Sequence, residues 1–243
     1  MIEVPIVLDE RLVQAGIEQY LSLPLSSGSF LTFGPSNSGK TVLNKLIIGR
    51  ITLTVPDATA TICDGKAFDY AFIRDISNSR HFEYLGVCEG LSWFYREIFE
   101  PRLKGKSNDR SFQLIVLEEW SSFMRIQEEV NKPAAKTALS QLFSIVSQGR
   151  AYNCRALISC QRPDAAYTGG FRESLTSVIG LGRISTESAK MVGFNEFPEF
   201  NGISGGQGVG YMLTETGVLN KVRVPRINNF DRLHQTIIDA VTR

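Results

Sequence analysis

Gly34-Pro35-Ser36-Asn37-Ser38-Gly39-Lys40-Thr41 decides how this chain is read. The stretch matches the pattern G-x-x-x-x-G-K-[ST], with the apolar run Ser29–Phe33 directly before it and a helical pattern directly after it. Glycines let the backbone curl so that successive N–H groups converge on one anion, and the positive end of the following helix adds to that field. Lys40 is placed to neutralise β- and γ-phosphates, and the Thr41 hydroxyl to ligate Mg2+. All eight positions, from Gly34, Pro35, Ser36, Asn37 and Ser38 to Gly39, Lys40 and Thr41, are therefore expected to line a nucleotide phosphate site.

Outward from that stretch, short apolar runs bounded by turn residues alternate with helical spacing, as in a mostly parallel sheet covered by helices. Strands are expected at 29–33, 59–63, 112–117, 155–160 and 178–181, with a closing pair near 210–214 and 218–224. Gly217 sits where a hairpin turn belongs between the last two. Residues 42–51 carry Leu43, Leu46, Ile47 and Ile51 on one helical face, and 137–148 carry Leu139, Leu142, Phe143 and Val146. A further helix over 90–103 turns Leu91, Phe94, Tyr95 and Ile98 inward and runs into a polar basic stretch, 104–110. The class is α/β. The expected division is an N-terminal extension over 1–28, one nucleotide-binding domain over 29–227 and a C-terminal helix over 228–243.

A nucleotide hydrolase also needs a carboxylate at the end of a neighbouring strand, and usually a second group that aligns the attacking water. Residues 113–117 form a buried strand that ends in Glu118-Glu119-Trp120. Side chains near a strand end point in different directions, so Glu118 is expected toward the magnesium and Glu119 toward the water at the γ-phosphate.

Composition narrows the partners. The 243 residues are 43% hydrophobic and 21% charged, which excludes a disordered or collagen-like chain. Lys plus Arg is 26 and Asp plus Glu is 25, so no global field draws the protein onto nucleic acid or an anionic membrane, and any such contact is local. Cys63, Cys88, Cys154 and Cys160 form no C-x-x-C pair, and His81 and His234 show no metal-ligand spacing. No apolar run is long enough to span a bilayer and the first residues lack a signal sequence, so a cytoplasmic protein with no membrane anchor of its own is expected.

Gln148-Gly149-Arg150-Ala151 through Gln161-Arg162-Pro163-Asp164 resembles the signature of FtsK/SpoIIIE DNA translocases, in which Gly-Arg precedes a strand ending in Gln-Arg-Pro. Cys63-Asp64-Gly65-Lys66 is similar to the family's second strand and its Asp-Pro-Lys, with Gly65 in place of the proline. Gly90-Leu-Ser-Trp93 resembles the helix before the family's acidic strand. Gly208-Val-Gly-Tyr-Met-Leu213 with Lys221-Val-Arg-Val224 resembles its closing strands. Glu118 stands where the family normally has Asp.

This resemblance, over roughly residues 29–227, implies a RecA-like P-loop NTPase of the FtsK–HerA superfamily: an ATP- and Mg2+-dependent motor that assembles as a hexameric homo-oligomer and moves double-stranded DNA. It implies that Gln161 reports the γ-phosphate, and that Arg150 or its rival Arg183 acts as an arginine finger. Arg102, Lys104, Lys106 and Arg110 face either a DNA channel or solvent. The loop 167–172, with Arg172 at its tip, is either a pore loop or a connector. Lacking an anchor and a DNA-reading module, the chain is expected to be a bare motor for a plasmid, integrative element or virus, recruited if at all by a membrane-bound partner. Two readings stay open beside it: an ATPase driving conjugation or protein secretion, and a nucleotide-binding scaffold that does not turn over.

Overall fold

The computed structural model describes residues 2–168, 170–202 and 206–243. Its first half runs β1 (Glu3–Asp9), α1 (Glu10–Gln14), β2 (Tyr20–Pro24), β3 (Ser29–Phe33), α2 (Lys40–Thr54), β4 (Thr59–Asp64), β5 (His81–Glu83), α3 (Val87–Trp93) and α4 (Glu100–Leu103). A π-helical stretch, Phe94–Phe99, joins α3 to α4, so one long helical segment covers the region expected at 90–103. The second half runs β6 (Gln113–Glu118), α5 (Trp120–Val130), α6 (Lys132–Gln148), β7 (Cys154–Cys160), α7 (Ala165–Thr168), β8 (Leu175–Leu181), α8 (Thr186–Val192), β9 (Val209–Leu213), β10 (Leu219–Arg223) and α9 (Phe230–Thr242).

One sheet holds the ten strands in the order β2-β1-β10-β9-β8-β3-β7-β6-β4-β5. From β8 to β5 every pairing is parallel, and from β8 back to β2 every pairing is antiparallel. Every residue of β3, β4, β6 and β7 is buried, because helices cover both faces of the parallel half. Along β6 the side chains alternate: Leu114 and Val116 pack with α2 (Leu43, Ile47, Ile48) and α9 (Ile237), while Ile115 and Leu117 pack with α5 and α6 (Trp120, Met124, Leu142, Ile145). Parallel strands force each connection to return across a face, which puts the carboxyl ends of β3, β4, β6, β7 and β8 along one edge. The loops after those strands build the candidate site.

Three elements extend the sequence reading. Residues 3–9 and 20–24, set apart as an extension, form β1 and β2 and join the same sheet through β10. Pro5 hides β1, since a proline normally excludes an inner strand; here β10 pairs with β1 only at Leu8 and Asp9, so Pro5 has a strand partner on the β2 side alone, and the register shifts between Pro5 and Val7. α5, over 120–130, follows Glu119 directly, and α6 begins at Lys132 rather than 137 because the Asn131 side chain accepts from the Ala134 N–H and caps it. The closing β9–β10 hairpin turns at Gly217 as expected, with φ +75°. The glycine-rich segment 202–210 is described only in part, since residues 203–205 lie outside the described residues, as does Gly169 within 167–172.

Candidate functional site

The phosphate loop is shaped by contacts that only glycine admits. Gly34 has φ +144°, and a Cβ there would stand 2.1 Å from the Leu181 carbonyl oxygen. Gly39, φ +100°, precedes α2 without any side-chain cap, so the first N–H groups of that helix stay available to an anion. From the far side, the Gly208 N–H donates to the Ser38 carbonyl at 2.9 Å and braces the loop against the approach to β9. Ser38 Oγ is buried and has no hydrogen-bond partner among the described residues. Uncapped N–H groups, an unpartnered hydroxyl and a glycine cradle together fit the phosphates of a nucleotide.

A cleft of ≈ 230 Å³ opens beside the loop, lined by Ser36 to Val42 together with Lys66, Asp69, Glu119 and Gln207. Lys40 is 5% exposed, and its Nζ donates to the carbonyl oxygens of Gly34 at 2.8 Å and Pro35 at 3.1 Å. Burial pushes its pKa down, against the opposing pull of Glu119 and Glu118. The ammonium thus stands at the loop it serves.

The two carboxylates that end β6 take different directions, as their adjacency requires. Glu118, on the α2 side of the sheet, accepts at Oε1 from Asn44 Nδ2 at 2.8 Å and from the Tyr70 hydroxyl at 3.0 Å. Asn44 is held in turn by the Thr32 hydroxyl at 2.9 Å, and it lies one turn past Thr41 on α2. Burial raises the Glu118 pKa, with the bonds from Asn44 and Tyr70 acting against it. Thr41 lines the cleft and Glu118 stands behind it rather than in its wall. Hydroxyl and carboxylate oxygens are the donors Mg2+ prefers, and a carboxylate that does not itself line the cleft suits an outer position on the ion's water shell.

Glu119 is in the wall. Its φ is +53°, a left-handed conformation that costs a non-glycine residue about 1 kcal/mol or more and turns the side chain out of the strand direction into the cleft. Lys66 Nζ donates to its Oε1 at 2.7 Å, while its Oε2 is buried without a partner among the described residues. A carboxylate in the wall of this cleft, with one oxygen free of any partner among the described residues, can accept a proton or orient a water.

A second cleft, ≈ 290 Å³, adjoins the start of the loop and brings together Gly34, Pro35, Gln161, Arg162 and Arg183. Gln161 and Arg183 follow β7 and β8, at the same edge as the phosphate loop. Arg150 is elsewhere. It precedes β7, pairs with Glu215 at 3.5 Å and lies at the amino-terminal end of that strand, about 20 Å from its carboxyl end at ~3.3 Å per residue.

The basic candidates for a DNA surface separate as well. Arg102 is 2% exposed, so its assignment to a DNA surface is corrected. Its guanidinium donates to the carbonyls of Ser111 and Tyr152 and pairs with Asp109, and the side chain is a buried staple. Arg172 is half-buried and donates to the Met191 carbonyl, which ties the tip of 167–172 to α8. Lys104 is exposed and pairs with Glu100 at 2.9 Å, and Lys106 and Arg110 are exposed. This basic stretch lies before β6, at the edge opposite the nucleotide cleft.

Sequence motifs alone do not single out Lys66, Asp69 and Gln207 as cleft residues. Lys66 follows the second parallel strand within the Asp64-Gly65-Lys66 resemblance, which is the one signal that points to it.

No protein-family model matches the chain, and no curated protein does. Solved structures match its fold. The cytoplasmic domain of the Thermomonospora curvata type VII secretion ATPase EccC superposes with TM-score 0.63 at 16% identity, covering 98% of this chain and 31% of that one. The pCW3 conjugation coupling protein TcpA, in its monomer form with ATPγS, gives 0.66 at 13% identity over 98% of this chain and 70% of that one. The genome packaging NTPase B204 of Sulfolobus turreted icosahedral virus 2, with ATPγS, gives 0.52 at 13% identity over 83% of this chain and 99% of that one. The chain thus spans about a third of the secretion ATPase and most of the other two. It has the fold of these P-loop ATPases, an α/β fold with a ten-stranded, mostly parallel sheet flanked by helices. Among the described residues no helix is long and apolar enough to cross a membrane.

Proposed function

We propose that this protein is an ATP-hydrolysing motor that translocates double-stranded DNA as a ring of identical subunits. The observation that carries the hydrolytic part is Glu119, whose carboxylate enters the cleft beside Lys40 and Thr41 with one buried oxygen unpartnered. In this reading the loop N–H groups and Lys40 hold the β- and γ-phosphates and neutralise charge as the terminal bond breaks. Mg2+, on the Thr41 hydroxyl with Glu118 behind it, would supply further charge neutralisation at the phosphate oxygens. Glu119 orients the attacking water and takes its proton at the free oxygen. Gln161, at the start of the loop, contacts the γ-phosphate side through its amide, and Arg183 in the same cleft reaches it within one subunit. Arg150, at the opposite edge, serves only a neighbour's site, which is why the reading includes a ring.

DNA as cargo is supported by the TcpA and B204 likenesses and by the exposed Lys104, Lys106 and Arg110. A protein cargo is the second reading, supported by the EccC likeness. Steady-state ATP hydrolysis with and without linear double-stranded DNA, with Lys40→Ala as blank, separates them. The motor reading expects hydrolysis that DNA stimulates several-fold and that Lys40→Ala abolishes. Hydrolysis indifferent to DNA moves the assignment to a protein cargo, and a rate equal to the blank removes turnover altogether.

A further inference from the structure

Lys66 belongs to neither half of the nucleotide motif, yet the fold delivers it to the wall of the cleft. β4 ends at Asp64, whose carboxylate accepts from the Lys66 N–H at 3.1 Å and the Tyr70 N–H at 3.2 Å, and these two bonds fold residues 65–70 back over the strand end. β4 and β6 are neighbours with Asp64 opposite Glu118, so the folded-back loop faces the residue after Glu118. The resulting Lys66–Glu119 pair is asymmetric: the lysine side chain is 44% exposed and the glutamate 7% exposed. Asp69, also in the cleft wall, is another anion close to this ammonium, and Lys40 is a neighbouring cation.

The ammonium at 2.7 Å holds the Glu119 carboxylate by Oε1 in an orientation that leaves the free Oε2 buried, so the oxygen that would take a water proton is not presented to the cleft while the pair is intact. A terminal phosphate brings more negative charge into the same cleft than one carboxylate does, and the exposed, flexible lysine stem can swing to it. The Lys66–Glu119 pair and a Lys66–phosphate contact are therefore alternatives. Resting on the ATPase reading above, we infer that Lys66 is a positioning residue shared between Glu119 and the terminal phosphate: it restrains the carboxylate until a γ-phosphate takes the ammonium and so frees Glu119 for the water. Lys66 would then couple base release to the presence of a triphosphate and add to the selectivity for ATP over ADP that Lys40 provides.

The test is a binding cycle on the full chain with ADP and the non-hydrolysable methylene analogue of ATP, using wild type, Lys66→Met, Glu119→Gln and the double variant. Removing the competing carboxylate in Glu119→Gln should tighten the analogue by about tenfold and leave ADP within about twofold, and in the Lys66→Met background that gain should vanish. Lys66→Met alone should weaken the analogue about tenfold more than ADP, with Lys66→Arg restoring most of the selectivity. Equal weakening of both nucleotides, or the same Glu119→Gln effect in both backgrounds, makes the pair a static contact and overturns the inference. Loss of selectivity that Lys66→Arg fails to restore also counts against it. Lys40→Ala keeps the two readings apart: if it binds the analogue as wild type does, the nucleotide reading falls and this one with it, whereas Lys40-dependent binding with unchanged selectivity in Lys66→Met overturns this inference alone.

Discussion

Two buried arginines show how a charge type can mislead. Arg102 looks like part of a basic surface loop, and in the structure its guanidinium is spent on the carbonyls of Ser111 and Tyr152 and on Asp109. Arg155 is 1% exposed and donates to the carbonyls of Leu25, Ser27, Gly149 and Cys154, with burial pulling its pKa down to about 10. Removing either side chain takes a donor from carbonyls that are buried or half-buried around it, Ser111 for Arg102 and Leu25 and Ser27 for Arg155. Arg102→Ala should cost about 2–4 kcal/mol in urea unfolding, while Lys104→Ala and Lys106→Ala stay within about 0.5 kcal/mol. If DNA stimulation of hydrolysis falls in the two lysine variants at unchanged stability, the exposed stretch carries the contact. The phosphate loop, in contrast, is legible residue by residue, because its pattern is a local backbone requirement. Gly34→Ala would meet the Leu181 carbonyl at 2.1 Å, and it should abolish nucleotide binding with little secondary structure lost by circular dichroism.

At the scale of elements, β1 and β2 carry more than their distance from the site implies. Val4, Ile6, Val7 and Leu23 have no exposed surface, and at about 1.5–3 kcal/mol for each buried side chain they contribute an amount comparable to a whole domain's net stability. Deleting residues 1–28 should therefore yield insoluble or unfolded chain, read as loss of the cooperative thermal transition. Survival of that transition would show that the sheet closes without the pair. β5 gives a pH signature. The His81 side chain is 3% exposed and its Nε2 has no hydrogen-bond partner among the described residues. Burial lowers its pKa, against Glu83 and Asp64, with Arg74 adding to the lowering. A folded pKa below the ordinary value of 6.5 means that its stability contribution is complete above 6.5 and is lost as pH falls toward the folded value. Replacing it with a group that stays neutral, His81→Gln, should flatten the decline in urea midpoint between about pH 7.5 and 5.5 relative to wild type. Parallel curves would place the titration elsewhere.

Across the whole molecule the sheet separates two edges: nucleotide groups gather at the carboxyl ends of the parallel strands, and Arg150 with the basic stretch 104–110 lies at the other. One chain cannot bring Arg150 to its own phosphate loop. If Arg150 completes a neighbour's site, Arg150→Ala and Lys40→Ala should each be inactive alone and recover measurable ATP hydrolysis when mixed, since some interfaces then pair an intact loop with an intact arginine. Full activity of Arg150→Ala alone would remove that role from Arg150 and leave it to its rival Arg183, which shares a cleft with Gly34 and Pro35 of its own subunit.

How much was readable follows from range. The strand, glycine loop, helix and paired carboxylates of Ser29–Phe33, 34–41 and 113–119 are local patterns whose backbone demands and spacing lie within a few residues, and by themselves they determined the α/β class and the phosphate loop. Only the tertiary structure decided that Glu119 enters the cleft while Glu118 turns to Asn44 and Tyr70, that Lys66 meets Glu119, that Arg102 ends on carbonyls, and that β1 and β2 close the sheet beside β10. Each of these depends on which strand lies beside which, and a charged side chain carries no local record of whether its partner will be water, a carbonyl or a carboxylate from far along the chain.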